Sequence, residues 1–192
     1  MNAITKIDII DSYLDEIKKL DVSQDLLQML FPFCLSTELW EKFNKFNNES
    51  KLIDFSKFQG IKYFGDGKTL SKDIEKVPND SGGIYIYVVE NSVIPFSGKY
   101  IMYVGRARLT DNCNLRQRAR SHFSQYKRGE ENDRIERVFD NWSDYVYLFY
   151  LPMGDNGVID LAEKELINAL TPPCNKDDYA PKIRRKLSAS FF

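Results

Sequence analysis

The chain has 192 residues, 43% hydrophobic and 29% charged, with 27 lysines and arginines against 28 acidic residues and a formal net charge of −1. That length holds one good domain plus an appendage, or two very small domains, and the composition is ordinary for a soluble globular protein. The net charge says little about nucleic acid until it is mapped along the chain. No apolar run approaches membrane-spanning length, since the longest, Leu26 to Leu35, is broken by Pro32. Asp8 and Asp11 interrupt the N-terminal apolar pattern, which therefore does not read as a secretory signal. Cys34, Cys113 and Cys174 are odd in number and free of Cys-x-x-Cys spacing, so a reducing cytoplasm is expected in place of a disulfide framework or structural zinc.

In chain order, Ile4, Ile7, Ile10, Leu14 and Ile17 recur at helical spacing and predict an amphipathic helix. Asp25 to Phe31 predicts a shorter helix ending before Pro32. Ser36 is placed to cap a third, carrying Leu39, Trp40, Phe43 and Phe46. Asn47-Asn48-Glu49-Ser50 reads as a linker, Ile61 to Phe64 as a short strand, and Gly65-Asp66-Gly67 as a turn. From Pro78 the character changes. Ile84 to Val89 is a β-branched and aromatic strand, and a loop with Pro95 and Gly98 leads back into Tyr100 to Val104, predicting an antiparallel hairpin. Asn114 caps a helix to about Tyr126, a polar helix follows near Asp133 to Phe139, and Tyr145 to Leu151 is a third strand. Val158 to Leu170 is a helix stopped by Pro172-Pro173. The order predicts an α/β (α+β) layer in which a small three-stranded antiparallel sheet is flanked by helices. Its parts are a mostly helical extension over 1–75, the main domain over 78–176 and a basic tail over 177–192.

Charge is unevenly distributed. No arginine precedes residue 99, and between Lys99 and Arg128 eight basic residues face one acidic residue, Asp111, giving 8 − 1 = +7. Such a cluster can neutralise phosphates, although a solvated helix face has the same composition. Within it, Leu115, Ala119, His122, Phe123 and Tyr126 share one helical stripe, with Arg118 one turn before His122. A lone histidine on an apolar face is usually a satisfied core residue, but a guanidinium beside it needs an anionic partner: a phosphate, Glu163 or Asp111. Glu163 is itself surrounded at helical spacing by Ile159, Leu166, Ile167 and Leu170, so it must be paired, protonated or metal-bound. An internal salt bridge to Arg118 and a magnesium site are equally compatible with that pattern. The eleven tyrosines make Tyr85 and Tyr103 unspecific alone, and Gly83 and Gly105 suit strand ends.

Taken together, Gly83-Ile84-Tyr85, Tyr103-Val104-Gly105, Arg118, His122, Glu163 and Asn175 follow in an order that resembles the GIY-YIG nuclease superfamily over roughly Pro78 to Asn175. Arg118-Ala-Arg-Ser-His122, with histidine where tyrosine is an alternative, is most similar to the type II restriction branch. A long loop between the first two words and an insertion, Leu109 to Cys113, depart from the pattern. The resemblance implies metal-dependent hydrolysis of DNA phosphodiester bonds, possible in a restriction or defence setting, with one Mg²⁺ or Mn²⁺ per site held by Glu163. It further implies Arg118 on the phosphoryl oxygens, Tyr85 as general base, His122 as proton relay, Tyr103 orienting water or phosphate, and Asn175 fixing Tyr85 or a phosphate. Arg106 is a candidate phosphate contact, and Arg108, Arg116 and Arg120 are candidate contacts to double-stranded DNA. A non-catalytic nucleic-acid-binding module and a partner-controlled nuclease subunit are the competing readings. Acidic residues outnumber lysines among the first 75, which suits packing helices, a homodimer interface or a regulatory protein's docking surface better than a DNA clamp.

Overall fold

Nine residues, Gly82–Glu90, form the strand around which the fold is built, and seven of them are buried. Side chains along a strand alternate between its faces. Ile84, Ile86 and Val88 therefore enter one layer, while Tyr85 and Tyr87 enter the other. The computed structural model describes residues 33, 35–91 and 98–190, with side chains to residue 185. The two helices expected before Pro32, the loop at Pro95 and Cys34 lie outside the described residues.

The described elements are α1 (Thr37–Ser50), β1 (Gln59–Lys62), β2 (Phe64–Gly65), β3 (Thr69–Leu70), β4 (Gly82–Glu90), β5 (Lys99–Ala107), α2 (Leu115–Arg128), α3 (Asp133–Trp142), β6 (Val146–Met153), α4 (Asn156–Leu170) and α5 (Pro181–Ser190). β4 lies between β6 and β5, and β1 extends the sheet beyond β6, all pairs antiparallel. The result is a mixed helix-and-sheet fold, as expected, but its sheet has four strands and not three. The strand expected over Ile61 to Phe64 is divided, β1 ending at Lys62 and Phe64 opening β2, and β1 buries only Ile61. Gly60 is needed there, since a Cβ would lie 2.7 Å from the Phe149 ring on the neighbouring strand.

On one face, Ile84, Ile86, Val88, Val104 and Leu151 pack against Ile159, Ala162, Leu166 and Ile167 of α4. Burying one such large side chain stabilises the fold by roughly 1.5–3 kcal/mol. On the other face, Tyr63, Tyr87 and Phe139 form an aromatic cluster with ring centroids 5.0–5.3 Å apart, mostly edge to face. The Tyr63 hydroxyl donates to the Ala119 carbonyl at 2.7 Å, which fixes α2 against this layer.

The helix boundaries follow from local chemistry. The side chains of Ser36, Asn114 and Asp155 accept from the backbone N–H of Leu39, Gln117 and Val158, and Gly129 ends α2 in the left-handed conformation. Asn47 to Ser50 is not a linker but the last turn of α1. Asn47 turns back to accept from Ile53 N–H at 2.8 Å and donate to its carbonyl at 2.9 Å.

Nothing divides the chain near residue 75. Pro32–Phe192 is one compact unit, because β1 pairs with β6 and Arg116 and Arg120 hold the short 3₁₀ turn Lys72–Lys76. Within the segment read as a basic tail, Pro181–Ser190 is helical.

Candidate active site

β5 is the edge strand opposite β1, and it borders an open cavity of about 700 Å³. Tyr103 and Gly105 lie opposite Tyr87 and Tyr85 and share their face, whereas Arg106 lies opposite Ile84 and belongs to the α4 face. Around this edge the cavity gathers Tyr85, Tyr103 and Arg118 from one layer and Arg106, Asp160 and Glu163 from the other. Two glycines make the geometry possible. A Cβ on Gly105 would lie 2.4 Å from the Tyr85 hydroxyl, so the residue is empty where the ring passes. Gly83 has φ +151°, and a Cβ there would meet the Leu151 carbonyl oxygen at 2.1 Å.

The first wall is a buried hydrogen-bonded chain. Tyr85 is 1% exposed, and its hydroxyl lies 2.7 Å from His122 Nε2 and 3.2 Å from Arg118 Nε, which donates to it. His122, 2% exposed, places Nδ1 2.7 Å from Glu131 Oε2. The other Glu131 oxygen accepts from the Asn132 backbone N–H at 2.9 Å. Burial raises the Tyr85 hydroxyl well above the ordinary phenol range, a neighbouring Tyr103 adds to the rise, and Arg118 opposes it. Burial likewise raises Tyr103, again against Arg118. Burial lowers the His122 imidazole, with Glu131 pulling the other way. The Arg118 guanidinium is raised, chiefly by Tyr85. It is more than half buried, and no carboxylate among the described residues lies within ion-pair distance of it. Neither Glu163 nor Asp111, the two internal partners weighed from sequence, pairs with it.

The second wall is ionic. Glu163, its side chain 14% exposed, pairs with Arg106 Nη1. Arg106 Nε also reaches Asp160 Oδ1 at 3.0 Å, and Arg108 Nε donates to the same oxygen at 2.9 Å. The Arg108 pair holds the half-buried Asp160 carboxyl below the ordinary range. Asp160 was not singled out from sequence, although it stands one turn before Glu163 on α4. That i, i+3 spacing was a usable signal. Glu131 carried none, because it follows Gly129 in a connection where no periodicity applies.

The remaining candidates have other partners. Asn175 is 1% exposed and contacts neither Tyr85 nor an open surface. Its amide donates to the Val104 carbonyl and its oxygen accepts from the Val104 N–H, each at 2.8 Å, which clamps β5 beside Tyr103 and Gly105. Arg116 donates to the carbonyls of Val77 and Glu75 at 2.7 and 2.6 Å and pairs with the Glu75 carboxylate. Arg120 pairs with the same carboxylate. Both are structural ties to Lys72–Lys76 and do not line the cavity.

Among the described residues no three His, Cys, Asp or Glu side chains converge as a metal cage. The carboxylates that line the cavity are Glu163 and Asp160, one helical turn apart, and Asp178, with Cys113 also on the lining. The Glu163 and Asp160 pair fits a hard divalent cation, which commonly takes one or two carboxylates and fills its other positions with water and phosphate. Arg106 competes for the same carboxylate oxygen. No helix among the described residues is long and apolar enough to cross a membrane. Compared with protein-family models, curated proteins and solved structures, the chain matches none.

Proposed function

We propose that the chain is a divalent-metal-dependent endonuclease of the GIY-YIG kind that hydrolyses phosphodiester bonds of double-stranded DNA. The observation that carries this reading is Arg118: a half-buried guanidinium with no carboxylate partner, touching Tyr85 at the wall of a cavity that also holds Glu163. An uncompensated buried cation calls for an anionic ligand, and a phosphodiester is one that arginine binds well. The order of the six sequence elements supports the same reading.

In this mechanism the phosphodiester rests against Arg118, whose charge offsets that developing on the phosphoryl oxygens. The Tyr85 O–H bond breaks as its proton passes to His122 Nε2, and the Tyr85 oxygen takes a proton from the attacking water. The water oxygen forms its bond to phosphorus while the bond to the leaving ester oxygen breaks with its electron pair. The leaving oxygen is then protonated from solvent. Glu163, with Asp160, would hold Mg²⁺ or Mn²⁺, which when bound polarises the scissile phosphate and stabilises the leaving oxygen. Arg106 and Arg108, once drawn from their carboxylates by substrate, are suited to flanking phosphates. Asn175 serves by fixing the β5 backbone.

The test is incubation of the purified protein with plasmid DNA and Mg²⁺ or Mn²⁺. Metal-dependent linearisation is expected, with discrete fragments if recognition is site-specific, as a restriction or defence role requires. Arg118→Ala and Glu163→Ala should each lower cleavage by about 10²–10³-fold or more with the fold retained. Full cutting by either variant would sink the proposal, and binding without any cutting would favour a non-catalytic module.

A further inference from the structure

The geometry points to Glu131 as the residue that sets the proton arrangement of the site, holding His122 in its Nδ1–H tautomer so that Nε2 accepts from Tyr85. This rests on the proposed phosphodiester hydrolysis for its catalytic meaning, but the hydrogen-bond argument stands on its own. Glu131 Oε1 accepts from the Asn132 backbone N–H at 2.9 Å, and Oε2 lies 2.7 Å from His122 Nδ1. In this assignment Glu131 is the ionised partner with no proton to give, and Nδ1 carries the proton between them. A neutral imidazole then has a free lone pair on Nε2, which faces the Tyr85 hydroxyl at 2.7 Å. The Tyr85 oxygen accepts from Arg118 Nε at 3.2 Å, which leaves its own proton available to His122. This assignment gives each group from Asn132 to Tyr85 a matched donor and acceptor.

The inner end of this chain is closed to solvent, with Glu131 and His122 side chains 4% and 2% exposed. The titratable and charged groups facing His122 are Tyr85 and Tyr87 from β4, Tyr103 from β5, Arg118 from its own helix and Glu131. Of these, Glu131 alone brings negative charge to the ring. When His122 takes the Tyr85 proton, that charge offsets the imidazolium in a place water does not reach. Glu131 does not touch the reacting atoms; it is a positioning residue that acts through His122.

Glu131→Gln tests this at constant shape. A glutamine has one acceptor and one donor where the carboxylate uses two acceptors. If its oxygen keeps the Asn132 N–H, its NH₂ faces Nδ1 and drives the imidazole proton to Nε2, so that the ring can no longer receive the Tyr85 proton. His122 is the only histidine in the chain, so one long-range ¹H–¹⁵N correlation spectrum of the labelled protein reads its tautomer without interference. The wild type should show Nδ1–H and Glu131→Gln a large Nε2–H fraction. In single-turnover cleavage of plasmid DNA with Mn²⁺, Glu131→Gln should fall by roughly 10–10³-fold, with the acid limb of its pH profile moved to lower pH. Glu131→Asp should recover part of the rate. A wild-type Nε2–H tautomer overturns the inference, as does a Glu131→Gln protein with wild-type tautomer, rate and pH profile. Should the wild type cut no DNA, the nuclease reading fails while the spectrum still decides the role of Glu131.

Discussion

The two walls of the cavity are built on opposite principles. Tyr85, His122 and Glu131 form a buried hydrogen-bonded chain, with the half-buried Arg118 at its open end. Arg106, Arg108, Asp160 and Glu163 form an ionic cluster at the rim, with the arginine side chains 39% and 53% exposed. In low dielectric a satisfied network is rigid and any missing member is costly. In water, ion pairs are weak and exchange partners at little cost. One wall is therefore suited to hold a proton arrangement fixed, and the other to surrender its arginines to an arriving polyanion and its carboxylates to a cation.

The sharpest way to break the contrast is Tyr85→Phe. The ring still fills the space over Gly105, so the fold should persist, while loss of the hydroxyl should lower cleavage by about 10²–10⁴-fold in single-turnover assays. A smaller effect separates the walls by pH. Burial holds the folded His122 pKa below its ordinary value of 6.5, so as pH falls the unfolded chain takes up the proton first. The contribution of neutral His122 is fully present above pH 6.5 and is lost as pH falls from there through the depressed folded value. Denaturant titrations over that window should show the decline, and His122→Asn should flatten it. The smallest effect is expected at the rim. Arg108→Ala should leave the melting temperature unchanged, since Arg108 is exposed, but reduce the salt dependence of DNA binding by about one phosphate contact, a slope change near 0.9. A large loss of stability in that variant would show that the rim is as fixed as the buried wall.

The buried wall and the core were legible in sequence to different depths. The hairpin of β4 and β5, α2 with its Asn114 cap, and α4 with its buried stripe follow from periodicity and capping, which are local. So were Arg118, His122 and Glu163, because a polar group on an apolar helical face stands out, whereas Tyr85 was marked only by the resemblance. Pairing was not legible. Which arginine meets Glu163 depends on β5 being an edge whose side chains reach α4, and a single chain does not display its sheet order. Glu131 was hidden for the same reason, since its meaning comes from the fold of the turn at Gly129 back onto His122. Arg116 and Arg120 looked like DNA contacts by charge alone, and only the position of Glu75 in space reveals them as ties.

Asn175 gives the edge strand a further property. A sheet ends where no strand follows, and its last strand offers unpaired peptide groups that any passing extended chain can adopt as a template. The side-chain amide of Asn175 presents one donor and one acceptor to Val104, as a peptide unit of a neighbouring strand would. One residue thus imitates the fragment of a fifth strand at the point where β5 borders the cavity. Strand addition by a second molecule is blocked there by the short 3₁₀ turn Pro173–Asn175 that carries the amide. The amide lets the sheet stop beside the cavity without becoming adhesive.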